Sequence, residues 1–89
     1  MGKLTKQQKT LIASKSEENR NYFLKNKEMI LEAYGGPTVI YKRKGGGHMI
    51  ISSENEGVLR NTLKTLDVVA RESAYWVTEK DRIIDPDPF

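Results

Sequence analysis

The chain has 89 residues and no cysteine, which excludes disulfides, thiolate metal sites and cysteine nucleophiles. A charged share of 30% against an apolar share of 37%, with one Trp, four Tyr and two Phe, describes one small polar domain whose modest core stands on packing alone or on oligomerisation. The net charge of +3 is unevenly placed. Lys3, Lys6, Lys9 and Lys15 occupy the first fifteen residues without an acid; Lys42, Arg43 and Lys44 form a second basic focus; the last eleven residues are acidic. No apolar run opens the chain as a leader would. No stretch approaches the roughly 20 apolar residues of a membrane span. A soluble, cytoplasmic protein is the expectation.

In chain order, residues 1–13 read as a basic N-terminal arm or short helix, with Leu4, Leu11 and Ile12 as its only apolar landmarks. Ser14 to Glu17 fits a capping box, with Ser16 as a competing cap, and predicts a helix running to Tyr34. Phe23, Ile30 and Tyr34 share its apolar stripe, and Gly35-Gly36-Pro37 stops it. Thr38 to Lys42 and His48 to Ser52 are β-branched runs separated by a five-residue loop, Arg43-Lys44-Gly45-Gly46-Gly47, which predicts a β-hairpin. Both faces of its first strand carry apolar residues, so more than one side has to be covered.

Ser53 to Glu56 is a second capping box, followed by Val58, Leu59, Leu63, Leu66, Val69 and Ala70 at helical spacing. That helix is expected to end near Glu72 or Ser73. Ala74 to Thr78 reads as a third strand, Glu79 to Arg82 as a turn, and Ile83-Ile84 as a brief fourth strand. The prolines of Asp85 to Phe89 exclude helix and central strand. The predicted fold is a small single α+β domain of order α-α-β-β-α-β, an antiparallel hairpin with a third strand packed against two amphipathic helices. The domain spans 14–84, with an acidic, proline-rich tail at 85–89.

Two sets of residues invite a binding role. Lys42, Arg43, Lys44, Gly45, Gly46 and His48 at the hairpin, with Lys3, Lys6 and Lys9 on the arm, suit nucleic acid or phosphate, because cations beside glycines let a backbone approach phosphate oxygens. The plainer reading of the hairpin is a solvated turn whose lysines keep an edge soluble; of the arm, a frayed terminus. The hairpin loop has neither the spacing of a nucleotide P-loop nor that of a dinucleotide-binding turn. Tyr75, Trp76 and Phe89 are candidate partner contacts, since Tyr and Trp are frequent anchors; the plainer reading is core.

Catalysis has no nucleophile–base pair to stand on, and the single His48 cannot supply a zinc ligand set. No cofactor and no metal are expected. The leading expectation is a non-enzymatic regulator or inhibitor that binds another protein or forms a homo-oligomer. A nucleic-acid-binding module using the basic hairpin is the alternative, and a nucleotide- or small-ligand-binding oligomer the second. In size and composition the chain is similar to compact accessory proteins of phages and other mobile elements, with no motif behind that similarity.

Overall fold

The computed structural model describes residues 3–82. Its element order is α1 (Lys6–Lys25), α2 (Lys27–Ala33), β1 (Thr38–Lys42), β2 (His48–Ser52), α3 (Glu56–Leu63), α4 (Val68–Ser73), β3 (Tyr75–Val77) and α5 (Glu79–Arg82). The α+β class and the order α-α-β-β-α-β through β3 are those predicted. The expected turn at Glu79 to Arg82 is instead the short helix α5, started by Thr78 and Asp81, whose side chains accept from each other's backbone N–H. The fourth strand expected at Ile83-Ile84 and the tail, including Phe89, lie outside the described residues.

The helices differ from expectation at their ends, and each difference has a side chain behind it. α1 begins eight residues before Ser14, at a capping box formed by Thr5 and Gln8. Thr5 Oγ1 accepts from the Gln8 N–H at 3.0 Å, and Gln8 Oε1 accepts from the Thr5 N–H at 2.9 Å. Ser14 and Ser16 therefore sit inside a helix. α1 stops at Asn26, where Nδ2 donates to the Tyr22 carbonyl at 2.9 Å and competes for the helical hydrogen bonds. The chain re-enters helix at once as α2. In the second helical region the cap is Asn55, whose Oδ1 accepts from the Gly57 N–H at 2.7 Å. The single helix expected there breaks between Lys64 and Asp67, and the Asp67 carboxylate restarts it by accepting from the Ala70 N–H at 2.8 Å.

The sheet has strand order β2-β1-β3. β1 pairs antiparallel with both neighbours, Ile40 opposite Ile50 on one side and Tyr75 on the other. Strand alternation then sorts the core onto two faces. Phe23, Ile30, Ile40 and Val77 form one cluster beneath α1 and α2. Val39, Leu59 and Leu63 form the other beneath α3, flanked by Tyr41, Ile51 and Trp76. α1 and α2 thus cover one face of the sheet and α3 the other, while α4 packs along α1.

Two polar ties close the domain over long sequence distances. Buried Asn19 of α1 donates through Nδ2 to the Ser73 carbonyl at the end of α4, at 2.8 Å. Arg82 donates from one guanidinium nitrogen to the Tyr34 carbonyl at 2.8 Å and from the other to the Gly36 carbonyl and to Thr38 Oγ1. This clamps the connection between α2 and β1. Only Asn19 and Phe23 of α1 are buried, and its N-terminal half lies alongside α4 with Gln8, Ile12, Lys15 and Ser16 half-buried, in a molecule measuring 49 × 26 × 24 Å.

Candidate basic cleft at the hairpin end

The hairpin has the predicted bounds, and its turn shows what the glycines are for. Gly46 and Gly47 have φ of 97° and 84°, a region that side-chain-bearing residues avoid. The Gly46 N–H donates back to the Arg43 carbonyl at 3.0 Å, and the Arg43 N–H to the Gly47 carbonyl at 2.9 Å. These amides close the turn and do not form an open cradle for an anion. The glycines meet a conformational demand, and the chemistry falls to the neighbouring side chains.

His48 is the base of β2, paired with Lys42 across the ladder. Its ring stacks on Tyr22 of α1, centroids 4.2 Å apart. Burial, and then the Lys42 charge, hold its pKa below the ordinary histidine value against the opposing pull of Glu18. At neutral pH the ring is an uncharged packing group and adds nothing to the basic focus. Lys42 Nζ reaches both Glu18 carboxylate oxygens at 3.1 Å, which anchors the hairpin to α1.

Between α1, the hairpin and α4 lies a cleft of about 370 Å³ lined by Lys15, Lys42 and Lys44, with Leu11, Gln8 and the Asp67–Ala70 segment completing it. Lys15 and Lys44 make no ion pair among the described residues. Asp67 is the one carboxylate in the lining, and it caps α4. Arg43 and Lys44 are exposed on the turn beside it. The long helix delivers the extra cation. At about 100° per residue Lys15 falls on the same flank as Gln8 and Leu11, facing the hairpin, while Lys6 and Lys9 turn away from it. Lys6 and Lys9 are exposed on α1, and Lys3 precedes the helix; none of them lines the cleft. The grouping of Lys3, Lys6 and Lys9 with the hairpin is therefore not what the fold brings together. Lys15, absent from that grouping, takes their place.

Tyr75 and Trp76 point to opposite faces of the sheet, as alternation requires. Tyr75 stacks on Phe23 at 5.1 Å and donates its hydroxyl to Asp81 Oδ2 at 2.8 Å. Burial, aided by that bond, pushes the Tyr75 pKa up to about 12. Burial pulls the Asp81 carboxyl up as well. Hydrogen bonds from the Thr78 N–H, the Tyr75 hydroxyl and the Thr78 hydroxyl outweigh it and leave Asp81 below its usual value. Trp76 packs with the Val39 cluster under the Arg60 guanidinium, 4.9 Å from its centroid. Both rings are half-buried parts of the core's rim.

A larger cleft of about 550 Å³ opens at the other end of β1, between Trp76, Arg60, Glu56 and Arg82. Its cations are committed: Arg82 to three oxygens of the chain, Arg60 to Glu56 at 2.7 Å. Among the described residues no group of three His, Asp or Glu is placed to hold a metal ion, and no helix is long and apolar enough to cross a membrane. Compared with protein-family models, with curated proteins and with solved structures, the chain matches none, so the chemistry of the cleft rests on its own geometry.

Proposed function

We propose that this protein binds the phosphate backbone of a nucleic acid at the hairpin end, without reading base sequence. One observation carries the reading. Lys15 and Lys44, neither held by a carboxylate among the described residues, line a single cleft with Lys42, although they come from a helix and a turn 29 positions apart in sequence. Lysine ammonium groups on flexible stems suit a backbone of repeated phosphates better than one rigidly shaped ligand. The cleft offers no aromatic ring for a base to stack on and no bidentate guanidinium, which favours contact to phosphate over contact to base edges.

The test is fluorescence anisotropy with single- and double-stranded DNA and RNA oligonucleotides across a salt series. Affinity for duplex DNA falls with salt, and each of Lys15→Gln and Lys44→Gln flattens the log–log slope by about 0.9. Lys25→Gln, at the far end of α1, leaves the slope unchanged. Affinity that is indifferent to Lys15→Gln and Lys44→Gln, or the same at all salt concentrations, overturns the reading.

A further inference from the structure

The two edges of the sheet are built differently. The Arg43 N–H donates to the Gly47 carbonyl, and the Ser53 N–H to the Pro37 carbonyl. Antiparallel alternation therefore turns the backbone groups of Met49 and Ile51 inward to β1 and those of His48, Ile50 and Ser52 outward. Among the described residues no other backbone group bonds to these outward positions. β2 is five residues long, regular in register, and holds no proline, lysine, arginine or acid. Those are the features that ordinarily blunt an exposed edge. β3, at the other edge, is three residues long, and the same alternation leaves only Trp76 facing outward. There the Thr78 N–H that follows is taken by Asp81.

We propose that β2 is a self-association edge, and that its occupant is the β2 strand of a second copy of this chain, added antiparallel about a two-fold axis at Ile50. This register overlaps all five residues. It sets His48 against Ser52 of the second copy and Ile50 against its own equivalent, so that every outward N–H meets an outward C=O. On the opposite face it brings Met49 beside Ile51 of the second copy, an apolar pair that continues the Val39 cluster. Charge selects the same arrangement. Antiparallel addition sends the two Arg43–Lys44 turns to opposite ends of a six-stranded sheet and lays each beside Ser53 to Glu56 of the other copy, where Glu54 is exposed. Parallel addition would stack the two basic turns. One strand pair covers less than the roughly 1,200–2,000 Å² of a standard stable interface, so the dimer is a concentration-dependent one.

Sedimentation equilibrium on the full chain, with amide hydrogen exchange at low and high protein concentration, tests the proposal. A reversible monomer–dimer equilibrium is expected. Exchange at Ile50 and Ser52 should slow about tenfold or more as the dimer fills, while Met49 and Ile51 stay protected throughout. Ser52→Pro removes an outward donor that β1 does not use. It should abolish the dimer while leaving the thermal transition of the dilute monomer in place. Glu54→Lys and Arg43→Glu are both at exposed positions; each should weaken the dimer several-fold, and the two together should restore it. A chain that stays monomeric at millimolar concentration, exchange at Ile50 and Ser52 that ignores concentration, or a charge-swapped double variant that does not recover overturns the proposal.

Discussion

At one end of β1 the Arg82 guanidinium donates to two carbonyls and a hydroxyl and lies against the connection it holds shut. At the other end Lys42 is tied to Glu18, while Lys15 and Lys44 face a cleft with no ion-pair partner among the described residues. Both ends are basic, yet the charge serves different purposes. A planar fork matched to fixed acceptors is architecture; ammonium groups on mobile stems around an open space are available for a ligand. The larger cavity is at the arginine end, and the functional reading goes to the smaller one. Uncommitted charge marks a site better than volume does.

The sharpest way to break the contrast is Arg82→Ala. It strands three partly buried oxygens, and chemical denaturation should register a loss of about 2–3 kcal/mol. Arg82→Lys should recover only part of this, since one ammonium cannot reproduce the fork. Next comes Gly36→Ala. An added Cβ would meet the Ser53 carbonyl oxygen at 2.7 Å, and because that oxygen belongs to the main chain the connection must shift. A loss of about 1–3 kcal/mol is expected from such overpacking.

Acid and base titrations probe the same end. Asp81 has a folded pKa below its unfolded one, so its contribution is full above about pH 4 and is lost as pH falls through the folded value. Tyr75 is raised to about 12, so its contribution is full below about pH 10 and is lost as pH climbs toward 12. Asp81→Asn should flatten the acid limb of the stability profile and shift the Tyr75 titration downward; ultraviolet absorbance at the phenolate band reads the latter. The smallest effects belong to the hairpin end. Lys44→Gln should leave the melting transition within about 0.5 kcal/mol of the parent, and breaking the half-exposed Lys42–Glu18 pair with Lys42→Gln should cost under about 1 kcal/mol. A large loss at either lysine would erase the distinction between the two ends.

The hairpin was legible because everything that determines it is local: two β-branched runs and a turn that needs left-handed glycine at Gly46 and Gly47. The helix ends were less legible because the motif that marks a start recurs within helices. Thr5-x-x-Gln8 and Ser14-x-x-Glu17 are equivalent on paper, but among the described residues the first is preceded by non-helical chain and the second by helix. The breaks at Asn26 and Asp67 depend on single polar side chains that bond back to the main chain, a competition that apolar periodicity does not record. The composition of the cleft was half legible. The hairpin cations stood out as a run, but which lysines of α1 join them follows from helix phase, and Asn19 and Phe23 set that phase by packing against distant residues. Nothing near Arg82 signals that it will reach back to Tyr34, Gly36 and Thr38.

The hydrogen bond from Asn19 to Ser73 joins residues 54 positions apart, and the Arg82 contacts span 44 to 48. The chain is made from its N-terminus. The hairpin can close in microseconds once residue 52 is free and offers α1 a first surface through Phe23, Tyr22 and Glu18, but Asn19 meets its partner only when α4 and Ser73 emerge. Through that interval the flank of the long helix that meets α4, from Gln8 and Leu11 to Asn19, has nothing against it. The order of synthesis thus separates an early local nucleus from a late closure. Substitutions in the Arg82 clamp should then act mainly on the rate of unfolding, and those in the hairpin mainly on the rate of folding.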